Sequence, residues 1–314
     1  MSARREYSVA CLAGDGTGPE LMAEASRAIE EVAHMHGFRV EQMHVPFGGD
    51  AVRRVGHPLP AATRAACLAA DAVLVAATRE PALEGVKADL DLTWRIMRVR
   101  LTRTRADLAV VSALVPEASD LAAERAFALA ASRRAHVTAV AADERWNAAV
   151  ERASARWTGI TVERSSAETA LMALARTPGS FDVVACERES AEALSSMAAF
   201  ATGGPRMVAS GRLSGSGPGL FGPTHGSAPD IAGQGVANPS GMLLATALML
   251  GEGLGERAAA TTLEGAVVDT LRDGVHTADL VDRGAAKTTR EFMDVLLAAL
   301  PSTRTDAEFT GVGA

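Results

Sequence analysis

Gly222-Pro-Thr-His-Gly-Ser-Ala-Pro-Asp-Ile-Ala-Gly-Gln-Gly-Val-Ala-Asn-Pro239 is the stretch on which the reading of this chain turns. It sits within Gly203–Gly241, a segment holding eleven of the 29 glycines and five of the thirteen prolines. A loop that long inside a folded chain is either functional or disordered. Upstream of it the sequence keeps a regular rhythm. Tyr7–Leu12 reads as a buried strand, and Pro19 opens a helix whose Leu21, Ala25, Ile29 and Val32 fall at helical spacing. Arg39–Val45 and Asp71–Ala77 read as strands, with a helix at Ala61–Ala70 between them. Strands at Asp107–Leu114, Val137–Val140, Ile160–Glu163 and Phe181–Cys186 then alternate with helices at Ser119–Ser132, Glu144–Ala155, Ala167–Arg176 and Ala191–Ala201. Downstream, Ser240–Leu250, Arg257–Arg272 and Thr288–Leu300 read as helices. Repeated βα units with apolar strands predict an α/β fold, a mostly parallel sheet covered by helices on both faces.

The 314 residues are 48% hydrophobic and 22% charged, enough to bury a large core and too apolar for a disordered chain. The acidic balance, 38 Asp+Glu against 31 Lys+Arg, argues against nucleic acid or an anionic membrane as a partner for the whole surface. Leu243–Leu250 is apolar, but Gly251, Glu252 and Gly253 end it well short of a membrane span. The N-terminus lacks the long apolar core and cleavage site of a signal peptide. Cys11, Cys67 and Cys186 are odd in number, far apart and set in apolar runs. That pattern predicts reduced core thiols in a cytoplasmic protein, with no zinc site. The inventory also holds one tyrosine, Tyr7, and two lysines, Lys87 and Lys287. A mechanism that needs a catalytic Tyr or Lys has almost no candidates.

Gly14-Asp-Gly-Thr-Gly-Pro-Glu20 joins the first strand to the first helix. Glycines there let backbone N–H groups approach a ligand at a helix N-terminus, although the dinucleotide fingerprint would need glycine at Pro19. Alone, the run is equally a tight βα turn. It stands in order with Gly48-Gly-Asp-Ala51, Gly56-His-Pro-Leu-Pro60, the 222–239 run and Thr288-Thr-Arg-Glu-Phe292. Taken together, these motifs span most of the chain and resemble the β-hydroxyacid oxidative decarboxylases, the isopropylmalate, isocitrate and tartrate dehydrogenases. The resemblance implies an isopropylmalate dehydrogenase-like two-domain fold. A discontinuous large, cofactor-side domain would span 1–100 and 206–314, and a small domain at 101–205 would carry a homodimer interface, with the active site in the cleft between them. It also implies that Thr17, His225, Gly226, Ser227, Ala228, Asp230, Ile231 and Asn238 hold a nicotinamide cofactor. In that role His225 stacks on or hydrogen-bonds adenine, while glycine-rich backbone approaches phosphate and ribose. Asp230 and Ile231 match the NAD-type members, since a carboxylate accepts bonds from ribose hydroxyls and repels a 2′-phosphate.

The same resemblance implies a lysine that takes the substrate's hydroxyl proton and a tyrosine that helps protonate the enol carbon. It further implies arginines that clamp carboxylates and aspartates that hold a divalent metal. This sequence departs at each point. Ala141 and Ala142 stand where an Asp-Lys pair belongs, Ser112 replaces an arginine, and the tyrosine segment before Ser119–Ser132 is missing. Two metal-binding positions on one helical face read Glu192 and Ser196, and the third, from the partner subunit, reads Glu168. Glu168 and Glu192 are either weak ligands of Mg²⁺ or Mn²⁺ or ordinary surface residues. In the family's substrate-arginine helix, Lys87 takes the first arginine's place, and the second falls at Met97 or, with a one-residue shift, Arg98. Lys87 and Arg98 are therefore the candidate catalytic residues. Trp94–Arg105 carries five arginines in twelve residues, either a site for a different anion or a salt-bridged face.

These features predict a diverged, NAD-binding enzyme of specialised metabolism that acts on a small anionic, hydroxy acid-like metabolite without the family's Lys/Tyr pair. Two other readings stand beside it. One is a non-catalytic, cofactor-sensing or regulatory homologue; the other is a lyase or isomerase that reuses the cleft without redox chemistry.

Overall fold

Alternating apolar strands and amphipathic helices set the element order, seen here in a computed structural model that describes residues 5–77, 82–100, 107–201, 204–281 and 285–301. The first third runs β1 (Arg5–Gly14), α1 (Gly18–His36), β2 (Phe38–His44), α2 (Gly48–Val55), α3 (Ala61–Ala69), β3 (Ala72–Ala77), α4 (Ala82–Asp89) and β4 (Trp94–Arg100). The middle runs β5 (Asp107–Ala113), α5 (Ser119–Ala131), β6 (His136–Val140), α6 (Glu144–Arg156), β7 (Thr161–Ser165), α7 (Ala167–Arg176), β8 (Val183–Cys186) and α8 (Arg188–Ala201). β9 (Val208–Leu213), β10 (Gly219–Pro223), α9 (Ser240–Leu248), α10 (Arg257–Arg272) and α11 (Thr289–Ala299) complete it. Pro19 sits in the first turn of α1, and buried Leu21, Ala25, Ile29 and Val32 form its inner face, as their spacing predicts.

The ten strands of the described residues form one sheet in the order β2-β1-β3-β10-β9-β4-β5-β8-β6-β7. Both wings, β2-β1-β3-β10 and β5-β8-β6-β7, are parallel. The three pairings at the centre, β10 with β9, β9 with β4 and β4 with β5, are antiparallel. The α/β expectation therefore holds, and its parallel character holds in the wings.

The centre is where the sequence rhythm misleads. The Gly203–Gly241 segment is not wholly loop, because it supplies the two central strands β9 and β10. Glycine is there for close approach: a Cβ on Gly222 would lie 2.6 Å from the Val75 carbonyl oxygen on β3. The arginine-rich segment also departs from the helix implied by the resemblance, since Trp94–Arg100 is a strand. Its period of two puts Trp94, Ile96, Arg98 and Arg100 on one face and Arg95, Met97 and Val99 on the other. Arg103 and Arg105 lie outside the described residues.

The two faces of the sheet are covered differently. One carries a continuous core, from Val9 and Leu74 through Ile96 and Phe221 to Val111 and Val137, under α1, α5, α6, α9, α10 and α11. The buried helix α9 runs beneath its middle. On the other face the core splits in two. Ala10, Leu12, Val73 and Val75 pack with α3 and α4, whereas Met97, Val110 and Val184 pack with α7 and α8. Between those two clusters the central antiparallel strands are left open to a cavity. All three cysteines are buried and free, and burial pushes the Cys11 and Cys186 thiols to about 12 and Cys67 to about 11. No helix among the described residues is long and apolar enough to cross a membrane.

Candidate functional site

The cavity in that gap has a volume of about 490 Å³. Arg95 and Met97 on β4, Ser210 and Arg212 on β9, and Leu220 and Gly222 on β10 form its floor. Lys87 on α4 and Glu192, Ser195, Ser196 and Phe200 on α8 form the walls, and Thr224 and His225 close one end. Arg95 lies in direct register with Arg212 on one side and with Ser112 on the other. Residues opposite one another in a sheet share a face, so the two guanidinium groups stand side by side. Arg95 is only 5% exposed; its terminal nitrogens donate to Glu192 Oε1 at 2.7 Å and Ser195 Oγ at 2.9 Å, and its Nε has no partner. The Arg212 side chain forms no hydrogen bond or ion pair with any described residue, its backbone being paired in the sheet. Burial, reinforced by the neighbouring Arg95 charge and partly opposed by the charges of Glu192 and Glu84, pulls its guanidinium below the ordinary value. Lys87 is paired with Glu84.

The motifs quoted from four parts of the chain meet beside this cavity and hold one loop. The Thr17 amide donates to the Ser227 carbonyl at 2.9 Å, with the Thr17 hydroxyl behind it at 3.4 Å. Gly16, at φ +58°, packs so closely that a Cβ would lie 1.9 Å from that same carbonyl oxygen. The Gly235 amide donates to Glu20 Oε2 at 3.2 Å, and the Thr289 amide and hydroxyl donate to the carbonyls of Gly235 and Ala237 at 2.8 and 2.6 Å. Asn238 donates to Asp279 at 3.1 Å and accepts from the Ser240 amide at 2.9 Å, just before α9 begins. The Gly49 amide donates to Asp15 Oδ1, and the Gly48 amide to the Pro58 carbonyl, which ties in the remaining two motifs. Thr17, Ser227 and Asn238 therefore shape the loop, and their polar groups serve that frame.

The outward part of the loop is different. Gly226 and Asp230 are exposed, and Ala228 holds a left-handed conformation at φ +39°. Ile231 is half-buried against the core, and a Cβ on Gly226, Gly233 or Gly235 would meet nothing within 4 Å. His225 joins loop to cavity. Its Nδ1 lies 3.0 Å from the Gly226 carbonyl, which can only accept, so Nδ1 carries the proton and Nε2 a lone pair. Nε2 is buried without a partner, and burial lowers the pKa of the ring.

Of the two catalytic candidates, only Lys87 lines this cavity. Arg98 is on the opposite face of β4, bonded to Glu264 at 3.0 Å in a second cavity of about 570 Å³ behind the sheet. Strand parity separates it from the site. Tyr7 donates its hydroxyl to Glu256 on the covered side of the fold. Glu192 is at the cavity, while Glu168 is exposed at the start of α7, held by its own backbone and Ser166. The described residues contain no group of three or more His, Cys, Asp or Glu side chains able to hold a metal. Arg212 lies in the glycine-rich stretch and was not singled out there; the visible signal was an arginine among the small and apolar residues of Val208–Leu213.

Comparison with known proteins identifies the family and the fold. The chain is 33% identical over 341 residues to 3-isopropylmalate dehydrogenase of Synechococcus sp. (strain CC9605), covering 90% of this chain and 96% of that one. It is 31% identical to 3-isopropylmalate dehydrogenase of Bacillus thuringiensis subsp. konkukian, covering 93% and 96%. Among solved structures, isocitrate dehydrogenase from Methylococcus capsulatus superposes with a TM-score of 0.80 at 24% identity over 93% of this chain and 98% of that one. A β-decarboxylating dehydrogenase from Thermococcus kodakarensis superposes with a TM-score of 0.81 at 26% identity, covering 93% and 95%. Residues 8–116 and 102–296 match the isocitrate/isopropylmalate dehydrogenase description, and the chain belongs to that family.

Proposed function

We propose that this chain is a diverged family member that binds NAD on the 225–238 loop and acts on a small anionic, hydroxy acid-like metabolite in the adjoining cavity. The observation that carries this reading is the meeting of that loop with a cavity bearing Arg95, Arg212 and Lys87 against Glu192 as the carboxylate of its wall. The cleft divides a large domain of residues 1–100 and 206–314 from a small one of 101–205. Exposed Met172 on α7 and Phe200 on α8 fit a homodimer interface on the small domain. Divergence is supported by the Synechococcus alignment, which is longer than this chain, so the relative carries residues with no counterpart here. It is supported too by Ala141, Ala142 and Ser112 at positions where the resemblance implies chemistry.

The loop fits a nicotinamide dinucleotide: exposed Gly226 backbone, open space beside Gly233 and Gly235, and the exposed Asp230 carboxylate for ribose hydroxyls. His225, Gly226, Asp230 and Ile231 would hold it, and when bound it supplies a hydride acceptor. The chain's own part is orientation. Arg95, fixed by Glu192 and Ser195, and Arg212 beside it position a carboxylate on the floor, while Lys87 adds positive charge from the wall. The donor set does not fit a divalent cation, because Glu192 is committed to Arg95, Ser196 is not a carboxylate and Glu168 does not line the cavity.

Thermal unfolding with NAD, NADH and NADP tests the reading. Ligand at a hundred times its Kd stabilises by about 2.7 kcal/mol, so NAD or NADH should raise Tm by several degrees and NADP should not. Asp230→Ala should abolish the NAD shift. Absence of any dinucleotide shift would refute the proposal, as would Mg²⁺-dependent oxidative decarboxylation of isopropylmalate or isocitrate at rates like those of the relatives.

A further inference from the structure

The central antiparallel strands place two arginines where a sheet ordinarily avoids them. Arg95 and Arg212 are directly opposite on β4 and β9, and like charges in that arrangement destabilise a strand pair. Both are substantially desolvated, which adds to the cost. Glu192, whose side chain is 73% exposed, is bonded to Arg95, and the charges of Glu192 and Glu84 act on Arg212 only from a distance. Among the described residues no carboxylate is in ion-pair contact with the Arg212 guanidinium, and the buried Nε of Arg95 has no acceptor. A like-charged pair on a cavity floor with one contacting carboxylate between them has room for an anion as the second partner. The neighbouring strand adds a second observation. Ser112, where the family resemblance implies an arginine, is the small residue opposite Arg95 on β5. In this chain a guanidinium stands one strand across from Ser112, beside Glu192 and Ser196, the two positions where the resemblance implies metal-binding aspartates.

We infer that Arg95 and Arg212 form a metal-independent oxyanion site, with the Arg95 guanidinium occupying the charge role that the family gives to a divalent cation. The site takes a carboxylate or phosphate oxygen pair bridging the two guanidinium groups. The inference rests on the reading of this cavity as the ligand site of the proposed function. Glu192 holds Arg95 in place and competes mildly with the ligand from the exposed edge.

Isothermal titration of the full-length protein in EDTA tests it, with malonate as the carboxylate probe, inorganic phosphate as the tetrahedral one and NAD titrated separately. At least one anion should bind in EDTA, and the preferred probe identifies the oxyanion. Adding Mg²⁺ after removal of EDTA should change its Kd by less than twofold. Arg212→Gln should weaken binding at least tenfold, Arg212→Lys should restore part of it, and Glu192→Gln should leave it equal or tighter. Circular dichroism and unchanged NAD affinity establish that each variant is folded. Anion binding that requires Mg²⁺, or an Arg212→Gln protein that binds like the parent, overturns the inference. Loss of the anion result with NAD binding intact refutes this site alone, whereas absence of NAD binding refutes the proposed function itself.

Discussion

Asp182 is 1% exposed and accepts from Arg133 Nε at 2.7 Å and from the Arg134 amide at 3.0 Å. Arg133 is itself nearly buried and also bridges to Asp107 at 2.8 Å. Removing one partner of a buried pair strands the other charge, so Asp182→Ala should cost about 3–5 kcal/mol in urea unfolding. His225 gives a pH signature. Burial, partly offset by the Gly226 hydrogen bond, lowers its pKa, so the unfolded chain takes up that proton first as the solution acidifies. Stability from this group is complete above the unfolded value of about 6.5 and is lost as pH falls through the folded value. An NMR titration should find the His225 ring still neutral at pH 6.5, and a His225→Gln protein should have a flatter stability profile just below that pH.

At the scale of elements, the loop motifs were legible in the sequence, while their tasks were not. Thr288-Thr-Arg-Glu was recognisable as a motif, yet the fold uses it as a capping box on α11 and as a latch on the loop through Thr289. Thr288→Ala should cost about 1 kcal/mol of stability, read by thermal unfolding. Gly16→Ala must move the Ser227 carbonyl and should cost about 1–3 kcal/mol, with weaker NAD binding than Thr288→Ala. The wings of the sheet were legible because their strands are continuous apolar runs. The centre was not, since β9 and β10 give up side chains at Gly211, Gly219 and Gly222 to let neighbours approach, which erases the pattern that marks a strand. Arg98 was a candidate because a one-residue shift brings it to the position of the family's second arginine, and such a match carries no parity until a strand assigns it a face.

For the whole molecule, α7 and α8, which pack together, present Met172 at 67% and Phe200 at 79% exposure. Large apolar side chains left on one surface mark an association site. Light scattering should find a dimer, and Phe200→Arg should shift it toward monomer at micromolar concentration. Phe200 also lines the 490 Å³ cavity, so dissociation should weaken anion binding as well.

The latch at Thr289 also sets an order in time. The loop that begins at His225 is closed by residues near position 289, and the central strands β9 and β10 must insert between β3 and β4, which precede them by more than a hundred positions. A chain emerging from the ribosome can pair β1, β2 and β3, and β5 to β8, early, but it completes the proposed ligand site among its last acts. Nascent chains halted before α11 would keep most of the sheet and leave that loop open to protease.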